Sequence, residues 1–228
     1  MSTQLATLLV SAAVAFPIAL SGWSLPERWL DPAAAIKLGS PSGLLSLALP
    51  ILCGVWGEAT VPSYALPGIL VLGWTLIALS IVDARTFLLP DRLTLPLIAA
   101  GVGHSAWLNT PPGSDVQDYL VEGMWNVAAA ATGLLFMALV ARTFRQIRGI
   151  EGLGLGDAKL FAAAGAWLGL TALPSIMLIA AVTALITAIL AHRMLKRVQP
   201  LGTTPIPFGP YLAGATWIVA LYGPLTFT

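Results

Sequence analysis

Long apolar runs fill most of this chain, and they point to a bundle of membrane helices as its fold. Only 9% of the 228 residues are charged, and 57% are hydrophobic. A soluble domain carries about 25% charged residues, so a water-soluble fold is excluded. The mean hydropathy of +0.87 agrees with that conclusion. We therefore predict an all-α, polytopic membrane protein.

The apolar runs predict about eight transmembrane helices, because a helix needs roughly 17 to 25 mostly apolar residues to cross the bilayer core. The candidate runs are residues 5–22, 42–56, 67–82, 93–108, 123–141, 158–172, 173–191 and 207–222. The second run is short and contains Pro50. No basic residue precedes the first run, so we interpret it as a retained anchor rather than a cleaved signal peptide.

The basic residues of the loops indicate the orientation of the chain, because Lys and Arg are retained on the cytoplasmic side. The loop at residues 109–122 has three acidic residues and no basic one, as expected on the opposite side. With eight helices, both termini then lie outside. The basic residues of the predicted cytoplasmic loops are Arg85, Arg92, Arg142, Arg145, Arg148, Arg193, Lys196 and Arg197.

The composition also excludes several kinds of partner. The near balance of 11 basic and 10 acidic residues provides no basic surface for nucleic acid. Cys53 is the single cysteine, which rules out an intramolecular disulfide and a cysteine cluster for zinc. His104 and His192 fall near opposite membrane faces in the predicted topology, so they cannot share a metal. We expect neither a metal nor a cofactor.

Two aspartates stand where a predicted helix meets a cytoplasmic loop. Asp83 ends one helix and Asp157 begins another, so the topology places both carboxylates at the same depth on the same side. Acids beside apolar runs are costly unless they cap a helix, pair with a base or do chemistry. Two close carboxylates tend to hold one proton between them, and such a pair can activate water while protonating a carbonyl oxygen. We predict an aspartic catalytic pair.

Each acid also has a structural alternative. Asp157 could be the N-cap of its helix, where Asp is favoured. Asp83 lies at a helix C-terminal end, where a negative charge opposes the dipole, and its alternative role is an interfacial acid paired with Arg85. Asp91 follows Pro90 and precedes a helix predicted to start near residue 93, so capping explains it.

Glycines surround the second aspartate. Gly152, Gly154 and Gly156 form a loop without side chains, which would let an extended peptide approach closely, although a tight start to a helix would also explain them. Gly165 and Gly169 have the small-xxx-small spacing of close helix packing. We predict that Gly154 and Gly156 bind substrate.

Lys159 follows the second aspartate in the first turn of the same predicted helix. A positive charge there is unfavourable for the helix dipole, so we expect it to pair with an acid or a lipid headgroup. We also place Lys159 with the substrate-binding residues.

Three segments carry a family resemblance. They are DARTFLLPDRLTLPL at 83–97, GLGDAKLFAAAGAWLG at 154–169 and GTTPIPFGPYLA at 202–213. Their order resembles that of the bacterial type IV prepilin peptidases, which are GxGD-type aspartic peptidases of the inner membrane. The resemblance implies that Asp83 and Asp157 are catalytic and that Asp91 is not. It also implies cleavage of prepilin or pseudopilin leaders at the cytoplasmic face, in type IV pilus or type II secretion systems.

The resemblance divides the chain into an N-terminal membrane region at residues 1–66 and a peptidase-like region at residues 67–228. Many members also carry a cytoplasmic domain with two CxxC pairs and methylate the new pilin N-terminus. No CxxC occurs here, so we expect peptidase activity without N-methyltransferase activity. The partners implied are a prepilin substrate and membrane lipids, and the sequence does not specify an oligomeric state.

Two other classes of function compete with a peptidase. An ion-coupled transporter would also keep intramembrane acids, but it should hold them near the bilayer midplane rather than at helix ends. A non-catalytic scaffold of a pilus or secretion assembly would use the same aspartates as helix caps.

Overall fold

The computed structural model describes residues 41–149, 154–194 and 207–225, and all regular structure in these ranges is helical. This confirms the all-α prediction. The first predicted run, residues 5–22, lies outside the described residues. Seven α-helices are present in the described ranges: α1 Pro41–Thr60, α2 Leu66–Thr86, α3 Asp91–Asn109, α4 Val116–Arg148, α5 Leu155–Leu168, α6 Leu173–Met194 and α7 Gly209–Tyr222.

Three stretches of helix in the described part of the chain are long and apolar enough to cross a membrane. They are Leu66–Thr86, Val116–Ile147 and Leu170–Leu190, the last of which joins the 3-10 turn Leu170–Ala172 to α6. By contrast, α5 and α7 contain 14 residues each. At about 1.5 Å per residue, neither helix alone crosses a core about 30 Å thick. The structure therefore supports a helical membrane fold, and the number of about eight spans stays a prediction.

The connection between α2 and α3 is short and sharply turned. α2 ends where Phe87 adopts the left-handed conformation, with φ 54° and ψ 25°. The N–H of Phe87 donates to the carbonyl oxygen of Asp83, which satisfies one of the helix's terminal carbonyls. Pro90 then stands in extended conformation directly before α3. The loop consequently turns the chain within four residues and keeps Asp83 close to the start of α3.

The helix α5 lies in the interior of the described bundle, with α3, α4 and α7 packed around it. Every residue from Asp157 to Trp167 except Lys159 is buried. Close contact with α4 depends on Gly165, because a Cβ there would lie 2.7 Å from the carbonyl oxygen of Ala129. The predicted packing role is thus supported for Gly165. It is wrong for Gly169, which instead ends the helix with φ 77° and has open space around it.

Side-chain hydrogen bonds attach α5 to α3. The indole Nε1 of Trp167 donates to the carbonyl oxygen of Leu97 at 2.8 Å. The hydroxyl of Ser105 donates to the carbonyl oxygen of Trp167 at 2.6 Å, near the C-terminal end of α5. Buried Trp and Ser side chains need such partners, and these two bonds set the register of the two helices.

Candidate active site

Three helix ends come together at one side of the bundle. The last turn of α2 carries Asp83, the first turn of α5 carries Asp157, and α7 begins at Gly209. α7 packs against both α2 and α5. Both acids are buried, with 4% of Asp83 and 8% of Asp157 exposed. Two acids in an apolar interior require specific stabilisation, so the contacts of each one are informative.

The carboxylate of Asp83 meets the N-terminus of α7. Its Oδ2 accepts a hydrogen bond from the backbone N–H of Gly209, with a nitrogen to oxygen distance of 3.0 Å. Asp83 lies at the C-terminal end of its own helix, where the helix dipole disfavours a negative charge. The N-terminus of a second helix compensates, because its free N–H groups and dipole favour an anion.

Asp157 occupies the third position of α5, and Gly154 is the N-cap. The interpretation of Asp157 as the N-cap is therefore wrong. The backbone N–H of Gly154 favours the ionised form of its carboxylate and so lowers its pKa, and Asp157 holds the position of the acidic residue of a capping box. Asp157 thus contributes to the start of its helix from inside the first turn.

The two carboxylates interact electrostatically. Asp157 lies outside the three segments that meet the length and apolarity of a membrane span. Burial, and then the charge of Asp83, raise the pKa of Asp157 to about 6, while the hydrogen bond from Gly154 opposes the rise. A raised pKa from burial together with a like charge is typical of acid pairs that share a proton. The described part of the chain brings together no group of three or more His, Cys, Asp or Glu side chains.

The glycines of the predicted loop differ in what surrounds them. A Cβ on Gly156 would lie 2.8 Å from the Cβ of Leu89, so this position must stay without a side chain for the α2–α3 loop to pack on α5. Gly154 is exposed, with only ordinary contacts around a Cβ. Gly152 lies outside the described residues. Close packing thus explains Gly156, and substrate binding by Gly154 and Gly156 stays a prediction.

Lys159 forms an ion pair with Asp91. This confirms that the lysine pairs with an acid. Asp91 is the first residue of α3 and follows the N-cap Pro90, so the helix begins two residues before the predicted start and the interpretation of Asp91 as the cap is wrong. The pair joins the N-terminal ends of α3 and α5 beside the aspartate pair. Its side chains are 32% and 57% exposed, and a role of Lys159 in substrate binding stays a prediction.

Sequence reasoning missed Gly209 and Leu89 as parts of this site. Gly209 belongs to the GTTPIPFGPYLA segment, which carries part of the family resemblance but does not by itself indicate a contact with Asp83. Leu89 belongs to the FLLPD segment, and an apolar residue in so short a connection between two predicted helices is the sequence signal for its burial, which the structure shows.

The sequence matches a known protein family. The model of the type IV leader peptidase family matches residues 70–189, a range that contains Asp83, Gly154, Gly156 and Asp157. No solved structure matches the chain.

Several curated relatives are named prepilin leader peptidase/N-methyltransferase. The chain is 36% identical to that of Aeromonas salmonicida over 207 residues, covering 90% of this chain and 66% of the relative. It is 36% identical to that of Stutzerimonas stutzeri over 206 residues, with the same coverage. It is 41% identical to that of Dichelobacter nodosus over 155 residues, covering 68% of this chain and 48% of the relative. The matches thus span two thirds or less of the relatives' own length.

Proposed function

Because the chain belongs to the type IV leader peptidase family, we propose that it is a membrane aspartic endopeptidase that removes the N-terminal leader from prepilins or pseudopilins. The observation that carries the proposal is the pair of buried carboxylates, Asp83 and Asp157, which come from separate helices and interact electrostatically. Burying two acids together is unfavourable for stability. A chemical role accounts for the presence of two such acids inside the region that the family model matches.

The proposed reaction is attack of water on the peptide carbonyl that joins leader and pilin. The ionised carboxylate takes a proton from the water while the oxygen of that water bonds to the carbonyl carbon. The protonated carboxyl donates to the carbonyl oxygen. The tetrahedral intermediate then collapses and the C–N bond breaks: the departing amine takes the proton that the first carboxylate removed from water, and the second carboxylate recovers its proton from the hydroxyl group of the intermediate. The products are the free leader carboxylate and the new pilin N-terminus.

The surroundings of the pair support different roles for its members. The N–H of Gly209 at the start of α7 stabilises the ionised form of the Asp83 carboxylate. The pKa of Asp157 rises to about 6 through burial and the Asp83 charge. We assign Asp83 as the base that activates water and Asp157 as the acid that holds the shared proton.

The proposed location is the bacterial inner membrane, with the aspartate pair facing the cytoplasm. The basic residues Arg85 and Arg92, which flank the α2–α3 loop, support this orientation by the positive-inside rule. Apolar side chains on the outer faces of α4 and α6 are exposed and suited to lipid, among them Leu135, Leu139 and Leu185. The pilin helix would be held by the same bilayer, with its leader reaching the loop at Gly154 and the side chain of Lys159.

We also propose that these 228 residues cleave without methylating the product. The curated relatives are named for both activities, but the single Cys53 excludes a CxxC pair from this sequence. A methyl-transfer assay with S-adenosylmethionine and processed pilin tests this point. Formation of methylated pilin would refute it.

The decisive test of the peptidase proposal compares the wild type with Asp83→Asn and Asp157→Asn in detergent, on a prepilin with a Gly-Phe junction. Asn keeps the side-chain shape and most of the capping, and it removes proton transfer. We expect both variants to fold and neither to cleave. Cleavage by either variant at the wild-type rate would reject that residue as a member of the pair. An inert wild type would favour the scaffold or transporter alternative.

A further inference from the structure

The first residue of α7 is bound directly to Asp83, one member of the aspartate pair. Gly209 is buried, and its N–H donates to Oδ2 of Asp83 at 3.0 Å across 126 residues of sequence. The N–H groups of a helix's first turn have no partner within the helix. This one is satisfied by the carboxylate, so α7 and Asp83 are linked directly.

The approach of α7 to Asp83 depends on the absence of a side chain. A Cβ on Gly209 would lie 2.6 Å from Oδ2, 2.8 Å from Cγ and 3.1 Å from Cβ of Asp83. Contacts this short cannot be accommodated without movement of one partner. Asp83 is only 4% exposed, so its carboxylate has little room to rotate away. Any larger residue at position 209 would displace either the carboxylate or the start of α7.

We propose that Gly209 is a positioning residue for Asp83, whose backbone N–H fixes the orientation of the carboxylate toward the water that it activates. The proposal rests on the peptidase function proposed above. The hydrogen bond occupies Oδ2 and leaves Oδ1 as the oxygen that accepts the proton from water. It also places an N-terminal helix dipole against the ionised base. Gly209 acts through Asp83 and does not itself contact the reacting atoms.

The same helix provides a matched control. Gly214 lies in the middle of α7, is exposed, and has nothing within 4 Å of the position that a Cβ would take. Gly209→Ala and Gly214→Ala thus make the same chemical change in one helix. They differ in whether the new methyl group meets Asp83.

The experiment measures kcat and KM of the full-length protein in detergent on the prepilin substrate. Since a misplacement of about 1 Å can cost about 100-fold in rate, we expect Gly209→Ala to lower kcat by about 10- to 100-fold with KM changed less than about twofold. We expect Gly214→Ala to stay within about twofold of the wild type on both constants, as surface changes away from the site do. Because a smaller folded fraction would also lower the apparent kcat at unchanged KM, kcat is calculated per folded molecule, with the folded fraction taken from the melting transition of each variant.

Two outcomes overturn the inference, and they show whether the peptidase proposal fails with it. If Gly209→Ala has the kcat of Gly214→Ala while Asp83→Asn is inactive, the aspartate pair stands and the positioning role is rejected. If Asp83→Asn cleaves like the wild type, the proposed function fails and the inference fails with it.

A second measurement covers a Gly209→Ala variant that does not fold. The methyl group is expected to collide mainly with the Asp83 carboxylate, so Asp83→Ala should relieve the collision. We expect the melting temperature of Asp83→Ala to change little when Gly209→Ala is added, although the same change lowers that of the wild type. An equal loss in both backgrounds would mean that the collision lies elsewhere, and it would overturn the inference.

Discussion

The side chain of Leu89 lies directly over Gly156, so that a Cβ on the glycine would come within 2.8 Å of the leucine's own Cβ. Leu89 belongs to the loop that follows Asp83, and Gly156 immediately precedes Asp157. The two chain segments that carry the acids are therefore in contact through a leucine and a glycine. This contact packs the α2–α3 loop against the first turn of α5.

Replacing Gly156 with Ala should loosen that contact. Overpacking typically costs about 1 to 3 kcal/mol, and we expect Gly156→Ala to lose stability in that range and to cleave more slowly. The control is Gly154→Ser, because Gly154 is exposed and Ser is favoured at an N-cap. Thermal unfolding in detergent measures both. If Gly156→Ala is as stable as the wild type, the packing explanation is wrong. A loss of cleavage by a stable Gly154→Ser would support substrate binding there.

The stability of the fold should fall as Asp157 ionises. Its pKa is raised in the folded state to about 6, from 3.8 in the unfolded chain. Stability from the neutral form is therefore complete below pH 3.8 and is lost as the pH rises through about 6. We expect the wild type to lose about 1 kcal/mol relative to Asp157→Asn between pH 5 and pH 7. The measurement is the free energy of unfolding of both proteins from pH 5 to pH 7. A difference between the two proteins that stays constant over this range would contradict the assigned pKa.

Cleavage should decline on the alkaline side for the same reason. If Asp157 donates the shared proton, kcat/KM should decrease with an apparent pKa near 6 that belongs to the aspartate pair. The measurement is the pH profile of kcat/KM with a substrate that has no group titrating in the range. An activity that keeps rising to about pH 8, where free carboxylates are fully ionised, would assign the proton to another group.

The contact between α4 and α5 should not tolerate a methyl group at position 165. A Cβ there would lie 2.7 Å from the backbone oxygen of Ala129, and backbone cannot rotate away as a side chain can. We expect Gly165→Ala to cost about 1 to 3 kcal/mol. The matched control is Gly103→Ala, which is exposed within α3 with nothing near its Cβ, and Ala should stabilise a helix there by about 0.5 to 1 kcal/mol. Similar melting temperatures for the two variants would reject the close packing.

The ion pair of Lys159 and Asp91 should contribute little to stability. Both side chains are partly exposed, and such pairs are worth about 0.2 to 1 kcal/mol. We expect Lys159→Met and Asp91→Asn each to lower the free energy of unfolding by less than about 1 kcal/mol. The coupling energy between the two residues, obtained by adding the double variant, should also be less than about 1 kcal/mol. A larger increase in KM for Lys159→Met than for Asp91→Asn would support contact of the lysine with substrate. Equal KM values would restrict the lysine to the ion pair.

Much of the molecule follows from local pattern. The runs at 67–82 and 173–191 correspond to α2 and α6 because hydropathy over some 20 residues determines whether a helix can lie in lipid. The sequence alone indicates Asp83 and Asp157, because a charge beside such a run is costly at any position. The pairing of Lys159 with an acid followed from its place in the first turn of a helix.

The tertiary structure decided what depends on which helix ends meet. The start of α7 donates an N–H to Asp83, and Leu89 occupies the space beside Gly156. Gly165 lies against α4, whereas Gly169 does not. Each of these contacts depends on the distance between backbone segments that are far apart in sequence. Hydropathy and spacing describe one helix at a time, and they assign a glycine the same properties wherever it occurs. Which neighbour occupies the space of its missing side chain is determined only when the helices pack.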